Sequence, residues 1–420
     1  MIKKLMLLRE NYHMALFSLF VFIPIFLSIN AENMLLFNRV IGDNYAWKAT
    51  IPISIIITLV FLLFNSFKVV KTIPKNSLIL LVYLCFSILI VYFSGNNGVD
   101  ISSIKTAIFM SMFICFFYGF KYYFSKKLSN SFECRHAENR YILYPLILVL
   151  LITLLSHFFI KAEPYVKTVE EVEVITKGTS ITKGTPITDG SAFLMSNVTI
   201  YNFEQYFAFV FMLLLASATR LKFIYFFTMS VASLYLAFVT QNKSAIFMMI
   251  ALLVYYSMSK AITPNLNDLF YKASKVLLII FPVLYLLAML LYVDVNVLDD
   301  GLSSRYNYIQ EYFSSLQWYQ VFLPISEQIR PVFSDMHNEM LEIFNASALL
   351  GLIAYYYFIY RQIECFSSRY KIQGISLLLL IFVGGTVTGN TTHMYLLVAL
   401  TYFLAFYVVA SRSIKEPVKS

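Results

Sequence analysis

Long apolar blocks separated by shorter polar stretches dominate the pattern of the chain. Each block holds about 20 residues, is rich in Leu, Ile, Phe and Tyr, and carries almost no charge, which is the pattern of a membrane-crossing α-helix. We therefore predict twelve transmembrane helices, near residues 13–30, 50–67, 77–95, 104–120, 141–160, 203–219, 222–240, 244–259, 275–293, 340–360, 372–388 and 392–410.

The composition agrees with this pattern. The chain has 420 residues, of which 59% are hydrophobic and 13% are charged, and its mean hydropathy is +0.72. Soluble domains have roughly 45–50% apolar and about 25% charged residues. The sequence therefore excludes a soluble enzyme and predicts an all-α polytopic membrane protein, with residues 1–420 forming a single integral membrane domain.

The charges separate into two sets when the predicted helices cross a membrane with both termini in the cytoplasm. The inner segments then hold 22 of the 32 basic residues but six of the 23 acids, so the inner face carries a net charge of +16 and the outer face −7. An excess of Lys and Arg on the cytoplasmic side is usual for multi-pass proteins. The overall charge of +9 therefore reflects topology, and nucleic-acid binding has no support.

Two of the predicted outer loops are long, and they span residues 161–202 and 294–339. The first contains a six-residue repeat over 175–192, Ile-Thr-Lys-Gly-Thr-Ser and its variants, whose composition fits turns or short strands. A variable surface loop and a lid over an outer groove both remain open for this segment.

The second loop contains a pattern of its own. Large apolar side chains recur at three- and four-residue spacing between 306 and 316, which predicts an amphipathic helix lying in the membrane interface. These side chains belong to Tyr306, Ile309, Tyr312, Phe313 and Leu316. Aromatic faces such as that of Tyr306 suit sugar rings, and arginines such as Arg305 and Arg330 suit phosphates through paired planar hydrogen bonds.

Each polar candidate also has a plainer interpretation. Lys243 lies in a short outer turn, where a lysine can extend to the headgroups. Arg305 and Arg330 can belong to a solvated loop surface. His337 lies at the start of a predicted helix beside Asp335 and Glu339, but a single loop histidine is more often solvated than catalytic. Spacing alone leaves these alternatives open.

The order of several motifs resembles the superfamily of bacterial O-antigen polymerases and O-antigen ligases, which are membrane glycosyltransferases. Residues 197–206, which include Asn202, are similar to an Asn-bearing helix start, and 240–245 to a Thr-x-Ser-Arg-x-Ala turn. Residues 304–308 resemble the Ser-Arg motif of the large outer loop. Residues 337–351 resemble the signature His-Asn-x9-Gly-x-x-Gly. The likeness covers roughly the C-terminal half, and the first five predicted helices match only in hydropathy.

Two positions depart from the family pattern. Lys243 stands where an arginine is usual, which keeps the charge but loses the two-pronged guanidinium. Ala348 replaces the first glycine of the signature and, as a small residue, still permits close helix approach. Both departures weaken a ligase assignment more than a polymerase assignment, because the polymerases are more divergent.

The resemblance implies transfer of an undecaprenyl-pyrophosphate-linked glycan onto a lipid-linked repeat unit at the periplasmic face of the inner membrane. Catalysis is expected from His337 and Arg305, with Lys243, Arg330, Asn338, Tyr306 and Asn202 binding substrate. No CxxC, HExxH or acidic DxD-type cluster occurs, so we expect neither a metal nor another cofactor. A chain-length regulator and a flippase are the protein partners that the family implies.

Other functions remain open from sequence. An O-antigen ligase would use the same chemistry and transfer the glycan to lipid A-core. A flippase for lipid-linked oligosaccharides, or another transporter, could also have about twelve helices, but it should place charged groups at mid-membrane and often contains repeated halves. The charges of this chain lie mainly in the predicted loops, and no convincing half-repeat is present. A non-catalytic assembly component is a third possibility.

Overall fold

The computed structural model describes ten stretches of the chain, and these are helical apart from short turns. They are residues 71–94, 101–128, 137–159, 210–239, 243–291, 309–310, 312–314, 316–324, 338–386 and 394–415. The described residues include no β-strand. The protein is therefore all-α throughout the part that the structure describes, as predicted.

Nine α-helices have defined bounds, and a further helical stretch covers 210–218. They are α1 (Lys75–Ser94), α2 (Ile101–Lys127), α3 (Tyr144–Phe159), α4 (Phe223–Val239), α5 (Lys243–Ala261), α6 (Pro264–Leu291), α7 (Glu339–Glu364), α8 (Lys371–Leu378) and α9 (Met394–Lys415). A π-helix, Asn139–Leu143, leads into α3, and another, Leu379–Val383, continues α8 into a 3-10 turn, Gly384–Thr386.

Five of the described helices are long and apolar enough to cross a membrane, namely α1, α2, α5, α6 and α7. Parts of α3, α4 and α9 form shorter apolar helices. These findings support a membrane protein. The remaining predicted helices lie wholly or partly outside the described residues, so the number twelve stays a prediction.

Helix α2 lies at the centre of one group of helices, in contact with α1, α7 and α9. Its rings pack edge-on against those of α7, with centroids 5.8 Å apart for Phe113 and Tyr355 and 5.7 Å for Phe117 and Phe358. Bilayer lipid is as apolar as these side chains, so close packing and ring geometry, rather than exclusion of water, hold such helices together.

Polar contacts join several helix ends at one end of this bundle, which we call the Arg220 end. Lys371, at the start of α8, forms an ion pair with Asp268 of α6. Backbone N–H of Ser367 donates to Ser411 Oγ of α9 at 2.9 Å. These contacts bring together segments that the sequence places on one side of the membrane.

Four parts of the chain meet at a largely buried ion pair of the Arg220 end. Arg220 donates to the carboxylate of Glu138 and to the carbonyl oxygen of Arg369, and its guanidinium lies 4.3 Å from the centre of the Tyr370 ring. The hydroxyl of Tyr407 donates to the other oxygen of Glu138 at 2.9 Å. Burial raises the pKa of Glu138, whereas Arg220 acts in the opposite direction.

We expect Glu138→Ala to lower the free energy of unfolding in detergent by roughly 3 kcal/mol, because removing one partner leaves the other charge partly buried and unpaired. Glu364→Ala is the matched control, since Glu364 pairs with Arg361 at a more exposed position. Exposed pairs contribute about 0–1 kcal/mol. Equal losses in the two variants would contradict this account of the Arg220 end.

Candidate functional site

Several helices meet at the opposite end of the bundle, which we call the Glu339 end. The 3-10 turn Gly384–Thr386 contacts α5, α6 and α7 there. Helix α5 begins at Lys243, within the motif 240–245, and helix α7 begins at Glu339, within the motif 337–351. The turn therefore links two regions that are distant in sequence.

Helix α7 begins at Glu339 because Asn338 caps it. Asn338 has extended backbone angles (φ −140°, ψ 105°), and its side-chain oxygen accepts a hydrogen bond from Leu341 N at 3.2 Å. This satisfies one of the backbone donors that every helix start leaves unpaired. The Asn338 amide nitrogen donates to the carbonyl oxygen of Thr386 at 3.4 Å. The start of α7 is thereby attached to the turn.

Glu339 is fully buried in the first turn of α7. Its carboxylate lies close to Gly385, where an added Cβ would be 3.4 Å from Oε2. The positive end of the helix dipole favours a carboxylate at this position. Buried acids within membrane proteins are energetically expensive and commonly mark functional sites, so Glu339 marks this end as the candidate site.

Residues from the second long loop pack directly onto the start of α7. Residues 309–310 and 312–314 are helical. Ile309 and Tyr312 are both buried, together with Leu286 of α6 and Leu341 of α7. The apolar face of this segment thus contacts protein helices. Further along, Trp318 is 77% exposed, in a 3-10 helix that contacts α7.

Helix α7 is interrupted at Ala348, whose backbone adopts φ 54° and ψ −173°. This region of conformational space is almost exclusive to glycine and costs another residue about 1–3 kcal/mol. The break separates the first nine residues of α7, which we call segment 339–347, from the rest of the helix. The signature position at 348 therefore favours glycine because of its backbone conformation, and not only because of close helix approach.

The interruption leaves the carbonyl oxygen of Ser347 to be satisfied from another helix. The hydroxyl of Tyr83 in α1 donates to it at 2.7 Å. Gly351 makes room for this contact, because an added Cβ would overlap the side chain of Ser347 and lie 2.9 Å from Cε1 of Tyr83. The second glycine of the signature is thus required by a close approach.

The seven predicted site residues differ in how far the structure describes them. Asn338 is described in full and is 2% exposed. Lys243 is the first residue of α5, and its backbone alone is described. The other five lie outside the described residues: His337, Arg305, Arg330, Tyr306 and Asn202. Their convergence on one cavity stays a prediction.

Sequence reasoning missed several polar residues near this end. Asn345 of α7 donates to Ser103 Oγ of α2 at 2.8 Å, and both residues are buried. Tyr83 likewise acts through a partner far away in the sequence. Isolated polar residues in an apolar block were the available signal, but such a block does not reveal which helices will be neighbours.

We expect Ala348→Gly to raise the free energy of unfolding in detergent by about 1 kcal/mol, because glycine adopts this backbone conformation without strain. The matched control is Ala346→Gly, two residues earlier in the helical part of segment 339–347. That substitution should destabilise the protein by about 1 kcal/mol, since glycine is a poor helix former. Destabilisation by both substitutions would refute the strain at Ala348.

Among the described residues, no group of three or more His, Cys, Asp or Glu could hold a metal ion. Comparisons with protein-family models, curated proteins and solved structures give no match for this chain. The functional argument therefore depends on the chemistry of the residues and on the geometry of the Glu339 end.

Proposed function

We propose that the protein is an O-antigen polymerase of the bacterial inner membrane. It joins an undecaprenyl-pyrophosphate-linked glycan to a second lipid-linked repeat unit, with the Glu339 end facing the periplasm and the Arg220 end facing the cytoplasm. The excess of basic residues in the segments assigned to the inner side supports this orientation.

The observation that carries the proposal is the position of the helix break relative to the sequence signature. The two small-residue positions of the resembled motif are 348 and 351. Ala348 is the residue with the broken backbone, and Gly351 is the residue that the Tyr83 ring approaches. These two positions thus have physical requirements that favour small residues, which a chance likeness of sequence would not explain.

The proposed reaction requires stabilisation of a leaving group and acceptance of a proton. An acceptor sugar hydroxyl attacks the anomeric carbon, the bond from that carbon to the pyrophosphate oxygen breaks, and undecaprenyl pyrophosphate leaves. Arg305, Lys243 and Arg330 stabilise the negative charge that develops on the pyrophosphate. His337 accepts the hydroxyl proton, because an imidazole titrates near neutral pH.

The described residues bear on the roles of two further candidates, Asn338 and Glu339. Asn338 is buried and its side chain bonds to Leu341 and Thr386, so we assign it to fixing the start of α7, directly after His337. The carboxylate of Glu339 is a second group that can accept a proton, but its burial against Gly385 separates it from an incoming sugar. The burial of Glu339 favours His337 as the base.

Deletion of the gene should leave lipopolysaccharide that carries a single repeat unit, and the wild-type chain should restore the full ladder. His337→Ala and Arg305→Ala should fail to restore it at normal expression, because one removes the base and the other a phosphate-binding cation. His157→Ala, at the outer end of a predicted helix, is the matched control and should restore the ladder.

Restoration of full-length chains by both His337→Ala and Arg305→Ala would show that the site assignment is wrong. Complete loss of attached O-antigen in the deletion strain would instead identify a ligase. Retention of lipid-linked repeats at the cytoplasmic face would identify a flippase. The gel ladder and the location of the repeats therefore separate the three functions.

A further inference from the structure

Helix α7 consists of two parts with different surroundings. The part after the break packs within the aromatic interior through Tyr355 and Phe358, both buried. Segment 339–347 begins at Glu339, directly after its cap Asn338, and contacts the second long loop through Leu341. A backbone interruption separates the two parts, so the orientation of the segment does not follow automatically from the packing of the rest of α7.

Two side-chain hydrogen bonds link segment 339–347 to α1 and α2. The Tyr83 hydroxyl of α1 donates to the Ser347 carbonyl oxygen at 2.7 Å. The Asn345 amide of α7 donates to Ser103 Oγ of α2 at 2.8 Å. One anchor lies at the last residue of the segment and the other lies two residues earlier.

These hydrogen bonds restrict rotation more strongly than apolar contacts do. Apolar side chains can slide or repack with little loss, whereas a buried polar group that loses its partner in a low-dielectric environment is strongly penalised. Two such anchors, from different helices, fix both the rotation of segment 339–347 about its axis and its distance from α1 and α2. Rotation of the segment would move the residues at its start.

We propose that Tyr83 and Ser103 are positioning residues for the site at the Glu339 end. They hold segment 339–347 in the orientation that fixes its start at Asn338, the residue that follows the proposed base in the sequence, without touching substrate themselves. This inference rests on the proposed function for its kinetic test, whereas the alkylation test below does not require that the protein be a polymerase. It assigns a role to α1 and α2, which the sequence resemblance matches in hydropathy alone.

The kinetic test uses purified protein and a lipid-linked repeat unit. Tyr83→Phe removes one hydroxyl and keeps the ring, and Ser103→Ala removes the other hydroxyl. Each should lower kcat on the order of tenfold with little change in KM, because small displacements of catalytic groups reduce turnover strongly. Tyr92→Phe is the matched control, since Tyr92 is an exposed tyrosine of the same helix, and it should leave both constants unchanged.

A second measurement reports the position of the segment without any catalytic assay. Leu341→Cys introduces a thiol at a buried position one turn into α7, in a background from which Cys85, Cys115, Cys134 and Cys365 have been removed. Alkylation by N-ethylmaleimide should be slow in this protein and in its Tyr92→Phe derivative. Adding Tyr83→Phe or Ser103→Ala should accelerate alkylation on the order of tenfold, because the segment loses an anchor.

A double-mutant cycle separates the Ser103 anchor from general loss of packing. Ser103→Ala and Asn345→Ala remove the two partners of one hydrogen bond, so their effects on alkylation should be strongly non-additive. Should Tyr83→Phe fail to fold, this cycle tests the same proposal from α2. Additive effects would contradict the anchor.

The outcomes distinguish this inference from the proposed function. If the wild-type protein does not lengthen lipid-linked repeats, the proposed function fails, and the alkylation rates still decide whether the two anchors hold the segment. Unchanged alkylation in both Tyr83→Phe and Ser103→Ala would overturn the inference. Reduced turnover with unchanged alkylation would overturn it too, because the residues would then act by another route.

Discussion

The need to satisfy every backbone polar group inside a membrane is the constraint on which this structure depends. A continuous helix meets that need by itself, whereas an interrupted helix requires a partner from elsewhere. At Ala348 the series of backbone hydrogen bonds along α7 is interrupted, and the hydroxyl of Tyr83 donates to the carbonyl oxygen of Ser347. One hydrogen bond therefore makes the shape of α7 dependent on α1, and with it the position of the Glu339 end.

The two ends of the bundle use polar residues differently. At the Arg220 end, Arg220 and Glu138 neutralise each other and bind the starts and ends of several helices together. At the Glu339 end, a buried carboxylate lies beside a capped helix start and a glycine-containing turn. The first arrangement stabilises an assembly of helices, whereas the second attaches the start of α7 to the turn Gly384–Thr386.

The sequence predicted the all-α class because apolar blocks are a direct property of composition. The predicted helices at 77–95, 104–120 and 340–360 correspond to α1, α2 and α7. Helix α6 begins at Pro264, well before the predicted 275. The prediction missed its first turns because they carry Asp268 and Lys272, and a search for apolar blocks excludes charged residues. The break at Ala348 could not be predicted, because alanine is the best helix former and the Tyr83 contact beside the break comes from a helix far away in the sequence.

Elongation of lipid-linked repeats by the purified protein in the presence of a metal chelator tests the central claim most directly. Cationic side chains, in place of a divalent ion, are proposed to neutralise the departing pyrophosphate. The account predicts that the chain alone converts single repeats into a ladder of longer products and that the chelator does not slow the reaction. Absence of elongation, or elongation that stops in the chelator and returns with added Mg²⁺, would contradict it.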